Sequence, residues 1–136
     1  RRGGSGYMFR AATVQDLSAV TAACMLVRAE VYDAVGGLDE AFEVAFNDVD
    51  FCLRVRELGW RIAWTPYAQL YHYESKSRGL DEKDPVKKER FATEQNRLRA
   101  RHAAALKRDP YYSPNLTLDR EDFSENPDHR FLKEQE

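Results

Sequence analysis

The chain has 136 residues, of which 43% are hydrophobic, 12% aromatic and 32% charged, and its 21 basic and 23 acidic residues leave a formal net charge of −2. That length suits one domain with a real core, the apolar content excludes a disordered chain, and the near balance of charge removes any global electrostatic case for nucleic acid. No apolar run approaches the ~20 residues that a membrane span needs, and the start carries no signal-peptide pattern.

The first segment, RRGGSG from Arg1, is polar and rich in glycine. No strand precedes these glycines and no Gly-Lys-Ser/Thr follows them, so they do not match a phosphate-cradling loop, and the opening reads as linker at a cut end. Ser18 to Val27, SAVTAACMLV, is a small-residue and β-branched run, expected as a buried strand. Arg28 to Val35 reads as a short helix closed by Gly36-Gly37, since glycine takes the left-handed conformation that ends helices. From Asn47 a second helix runs to about Leu58. Asn is a favoured N-cap, Asp48 and Asp50 stand where the macrodipole favours anions, and Gly59 supplies the stop, with Trp60 folding back on the last turn.

Arg61 to Thr65 and Ala68 to Tyr73 are expected as short strands, divided at Pro66 because proline cannot donate to a central ladder. Trp60, Trp64, Tyr67 and Tyr71 fall at spacings that favour core positions over sugar stacking. Glu74 to Pro85 is a polar loop. Val86 to Lys107 is helical by propensity, with a thin apolar stripe through Phe91, Leu98 and Ala105 and an excess of Lys and Arg over Glu89 and Glu94. The tail from Asp109 is acidic, and the two segments can neutralise one another within the chain or across a dimer. Cys24 and Cys52, in apolar surroundings and without metal-pair spacing, are expected as buried, reduced thiols of a cytosolic protein.

The stretch VAFNDVDFCLR, Val44 to Arg54, places two carboxylates two residues apart. On a helix, positions two apart diverge by roughly 200°, so Asp48 and Asp50 cannot grip one ion between them. Asp50 shares a polar stripe with Arg54 and Glu57 and is expected as an exposed partner of Arg54. Asp48 lies on the arc of Cys52 and Val55 and is expected to face a packed neighbour. A carboxylate so placed is either satisfied by helix-start N–H groups or serves as a general base, and the local sequence leaves both open.

The wider pattern, TAACMLVRAEVYDAVGGLDEAF followed by NDVDFCLRVRELGWRIAWTPYAQLYHYESKSRG, resembles the C-terminal half of bacterial family 2 glycosyltransferases of the rhamnosyltransferase-like, O-antigen or cell-wall polysaccharide type. The likeness covers Thr21 to Gly79. It implies an α/β fold, a partial A-type glycosyltransferase fold with short strands, flanking helices and a long C-terminal helix and tail. In that scheme residues 1–17 link to a missing nucleotide-sugar-binding half, 18–85 form the acceptor side, and 86–136 are the basic helix and acidic tail.

The resemblance further implies an inverting transfer from a nucleotide-diphosphate sugar to an acceptor hydroxyl, with Asp48 matching the Asp of the family's Glu-Asp motif as catalytic base. Asn47 stands where Glu is usual and is expected beside the substrate, while Ala22 stands where Gly is common. His72 is either a core histidine or a ligand to a divalent metal, Mg or Mn, held mainly by an Asp-x-Asp in the missing half. Ser75, Lys76, Ser77 and Arg78 are suited to cover a diphosphate, or else form a solvated loop. The expected partners are a nucleotide-sugar donor and a carbohydrate or lipid-linked acceptor, with no nucleic acid. The expected location is cytoplasmic, at the inner face of the cell membrane where the basic helix meets anionic lipid; a solvated helix surface is the plainer account of that charge. The piece is expected to be inactive alone. The alternative function is a non-catalytic module for oligomerisation or surface binding, resting on the charge segregation after Pro85.

Overall fold

A computed structural model describes residues 4–71, 84–120 and 122–127. In chain order the elements are a 3-10 segment Tyr7–Ala12, strand β1 (Gln15–Leu17), a 3-10 turn Ala22–Cys24, helix α1 (Ala29–Ala34), helix α2 (Asn47–Glu57), strand β2 (Ile62–Trp64), helix α3 (Pro85–Arg101) and helix α4 (Ala103–Lys107). The architecture is mixed α/β, with a single small sheet among the described residues. In it β1 runs antiparallel to β2, pairing Gln15 with Trp64, Asp16 with Ala63 and Leu17 with Ile62. Arg61 reaches across this ladder to Asp16, with Nη2 2.8 Å from Oδ2.

Both short helices that precede β2 end as their glycines require. In α1 the Gly36 N–H donates to Asp33 O (3.0 Å) and the Gly37 N–H to Tyr32 O (2.9 Å), the paired closure that a left-handed residue after the last turn makes possible. Gly37 has φ +71°, and a Cβ there would meet the Tyr32 ring at 3.0–3.1 Å, so only glycine fits. α2 repeats the closure: Gly59 donates to Arg56 O (2.8 Å) and Trp60 folds back to Val55 O (3.3 Å). The core that results is small: Val31 of α1 packs with Phe51 and Val55 of α2, and Met25, Val27, Val35 and Ile62 close around them. Each such side chain, once fully buried, contributes about 1.5–3 kcal/mol.

Several expectations are corrected. Ser18 to Val27 is not a strand. Its small side chains offer little to a pleated face, Thr21 instead caps the 3-10 turn by accepting from the Ala23 N–H (3.2 Å), and the strand lies just upstream, within the stretch expected to be linker. Cys24 is exposed, because that turn faces outward, whereas Cys52 is buried as expected. Asn47 is not the N-cap of α2 but its first helical residue; the cap position is Phe46, in a left-handed backbone conformation at φ 64° with no side-chain cap. Of the strand expected from Ala68 to Tyr73, residues 68–71 form none and 72–73 lie outside the described residues; Trp60, Tyr67 and Tyr71 are exposed rather than core, with no partner strand over them among the described residues. The long C-terminal helix is broken at His102, whose φ of −115° separates α3 from α4.

Candidate functional site

Asp48 sits in the first turn of α2, where helix-start N–H groups have no intrahelical acceptor. Its Oδ1 accepts from the Val49 N–H (2.9 Å) and its Oδ2 from the Ala22 N–H (3.0 Å), so one carboxylate ties the start of α2 to the 3-10 turn Ala22–Cys24. The side chain is half-buried, neither sealed in the core nor projected into bulk water. Each oxygen keeps a second lone pair beyond the N–H it accepts, which leaves capacity to take a proton from a further donor. Asn47, also half-buried, precedes it on the helix.

The loop that delivers Asp48 is held by α3. Buried Glu94 accepts from the Glu43 N–H (Oε1, 3.2 Å) and the Ala45 N–H (Oε2, 2.7 Å), leaving both carboxylate oxygens committed to backbone. Arg97 donates to Ala41 O, and the Arg97 and Arg101 guanidinium groups lie over the Phe42 ring, 5.8 and 5.5 Å from its centre. Phe46 packs on Phe91 with ring centres 5.1 Å apart. These contacts over-determine the loop and sustain the left-handed backbone of Phe46, a conformation that costs a non-glycine residue of order 1 kcal/mol or more.

Asp50 departs most from expectation. It is fully buried rather than exposed, although its pairing with Arg54 is as read from the helical wheel (Nε to Oδ2, 2.8 Å). The stripe of Asp50, Arg54 and Glu57 meets the end of α3 and His102, which seal Asp50 from solvent while Glu57 stays largely exposed. His102 Nε2 lies 2.9 Å from Asp50 Oδ1 and its Nδ1 lies 3.2 Å from Glu57 Oε1, while Arg101 donates to both Asp50 Oδ1 (2.8 Å) and Asp39 Oδ2 (2.6 Å). Arg54 donates onward to Val35 O (2.6 Å) and Gly37 O (2.9 Å), capping the C-terminal carbonyls of α1. Burial pushes the Asp50 carboxyl upward, but hydrogen bonds from His102, Arg101 and Arg54 outweigh it and hold the group below the usual carboxylate range.

Glu94 and His102 were not singled out from sequence. A signal existed: both lie at helical spacing with Leu98, four residues to either side, on the stripe that faces α2. His72, Ser75, Lys76, Ser77 and Arg78 lie outside the described residues. Among the described residues no group of three or more His, Cys, Asp or Glu side chains gathers in a way that could hold a metal ion, and no helix is long and apolar enough to cross a membrane.

The chain matches the family described as "Glycosyltransferase like family 2" over residues 5–100. It is 48% identical over 120 residues to the uncharacterized protein y4gI of Sinorhizobium fredii, covering 88% of this chain and 13% of the relative. It is 38% identical over 104 residues to the O-antigen biosynthesis protein RfbC of Myxococcus xanthus, covering 73% of this chain and 7% of that protein. Over 62 residues it is 34% identical to the N-acetylglucosaminyl-diphospho-decaprenol L-rhamnosyltransferase of Mycobacterium tuberculosis, covering 46% and 20% of the two chains. The chain thus spans a fifth or less of the length of these relatives. No solved structure matches it at a significant level.

Proposed function

Because the chain belongs to the glycosyltransferase-like family 2, shown by a match over residues 5–100, we propose that it is the acceptor side of an inverting glycosyltransferase with Asp48 as its base. Asp48 takes the proton of an acceptor hydroxyl as that oxygen attacks the anomeric carbon of a nucleotide-diphosphate sugar. The bond from that carbon to the diphosphate breaks in the same displacement, so the configuration inverts and no covalent intermediate forms. The observation that carries this reading is the half-buried Asp48 carboxylate. It is fixed by two backbone N–H groups on separate elements, which pre-orients the base without consuming its remaining lone pairs.

The rest of the site serves position. Glu94 fixes the backbone just before Asp48, and the Asp50 cluster fixes the helix that carries it. Asn47, where the family resemblance expects an acid, leaves one less negative charge beside the base. The donor diphosphate, the loop Ser75 to Arg78 that would cover it, and a divalent ion with His72 among its ligands all belong to this proposal. The described residues build no metal site, so no step is assigned to such an ion. The acceptor is a carbohydrate or a lipid-linked sugar of the kind named for the mycobacterial relative. The proposal assigns donor binding to residues beyond these 136, so that the 136 residues alone are expected not to catalyse transfer.

The test uses the full-length protein and reads nucleoside diphosphate release from a panel of nucleotide sugars in the presence of acceptor. Asp48→Asn should lower turnover by about 10²–10⁴-fold while leaving the fold unchanged. Wild-type turnover in that variant refutes Asp48 as the base. The alternative, a module for self-association through the basic helix, is weakened by the use of Arg97 and Arg101 inside the molecule, on Ala41, Asp39 and Asp50.

A further inference from the structure

A groove of about 430 Å³ lies between the start of α3 and the loop before α2, lined by Val44, Ala45, Lys87, Lys88, Arg90, Phe91 and Glu94. Val44, Ala45 and the half-exposed ring of Phe91 give it an apolar floor, and three cations from one helical turn stand along one side. Glu94 is the single acid in the lining; it is 2% exposed and each of its oxygens is turned to a backbone N–H, so little of the carboxylate faces a ligand in the groove. Asp84, at the start of α3, is occupied as its N-cap, accepting from the Val86 N–H (3.0 Å), and the neighbouring Glu43 and Glu89 are not among the lining residues. The volume falls within the ~300–1,000 Å³ of small-molecule sites.

Lining of this kind selects ligand chemistry. The side chains of the groove offer nothing to the hydroxyls of a sugar except cations, whereas a ligand with an anionic head and a hydrocarbon chain satisfies both halves at once. The start of α3 adds its positive helix end to the same side. Ala45 precedes Asp48 by three residues, so their Cα atoms lie within about 11 Å at 3.8 Å per step. The groove and the base thus share one short stretch of loop.

We infer that this groove binds the long-chain phosphate portion of a lipid-linked acceptor, the chain against Val44, Ala45 and Phe91 and the phosphates against Lys87, Lys88 and Arg90. The inference rests on the transferase reading for why such a ligand is present, and its test does not use turnover.

Binding of geranylgeranyl diphosphate to the full-length protein, kept below its critical micelle concentration, is measured by calorimetry beside farnesyl diphosphate, geranyl diphosphate and inorganic diphosphate. Affinity should rise with each isoprene unit, and inorganic diphosphate should bind at least tenfold more weakly than the longest chain. Lys88→Glu, at an exposed position, and Arg90→Gln, at a half-buried one, should each weaken binding severalfold with unchanged thermal unfolding. Asp48→Asn, which removes transfer, should leave this affinity intact, so failure of one proposal is separable from failure of the other. Equal affinity for inorganic diphosphate, affinity independent of chain length, or binding to anionic vesicles without saturable binding of the monomeric lipid each overturns the inference.

Discussion

His102 and Asp50, 52 residues apart, meet through a 2.9 Å contact between Nε2 and Oδ1 with both side chains buried. Arg54 and Arg101 complete the shell around the same carboxylate. Cutting a buried charge cluster on one side leaves the remaining charges desolvated and unpaired, which costs about 3–5 kcal/mol. Asp50→Ala should therefore lower the unfolding free energy by about that amount in denaturant titration, more than any exposed Asp→Ala change in the chain. An equally stable variant would show that the cluster contributes nothing net.

The same cluster sets a pH dependence. Asp50 is held low by its three donors against the opposing effect of burial, and Asp39 is held low by the Ala41 N–H and then by Arg101. A carboxyl whose pKa is depressed in the folded state stabilises that state above the ordinary value of 3.8, and the contribution is lost as pH falls through the folded value. Stability should thus hold from neutrality down to about pH 4 and fall below it. Asp50→Asn should shallow that acid limb, as read from unfolding free energy measured at a series of pH values.

The two thiols should separate cleanly by reactivity. Burial, reinforced by the Asp48 carboxylate, pushes the Cys52 thiol up, while Cys24 is exposed on its 3-10 turn. A chromogenic disulfide reagent at pH 8 should titrate one thiol rapidly, that of Cys24, and reach Cys52 only on unfolding. Rapid loss of both thiols in the folded protein would contradict the packing of α2.

Glu94 offers a test of how the loop before Asp48 is held. Glu94→Ala removes the acceptor from two backbone N–H groups, at a cost of about 1–3 kcal/mol for each that remains buried and unpaired. Amide hydrogen exchange at Glu43 and Ala45 should accelerate, and Glu94→Gln, which keeps one acceptor oxygen, should fall between. Unchanged exchange at both amides would exclude Glu94 as the anchor.

Local sequence determined what depends on near neighbours. Gly36-Gly37 and Gly59 closed α1 and α2 because those positions demand a left-handed backbone, and the run from Asn47 formed α2 because its acids sit at the helix start and its arginines at the end. The Asp50–Arg54 pairing follows from i,i+4 geometry, and the family pattern is written in the residues between Thr21 and Gly79.

Tertiary structure alone decided what covers each face. A helical wheel assigns Asp50, Arg54 and Glu57 to one stripe, but whether water or His102 lies over that stripe depends on a segment some fifty residues downstream. The same holds for Asp48, whose second N–H donor comes from Ala22, 26 residues earlier, and for the left-handed Phe46, sustained by its contact with Phe91. Periodicity fixes the direction in which a side chain points, whereas solvation is a property of whatever chain arrives there, and that is written in no local spacing.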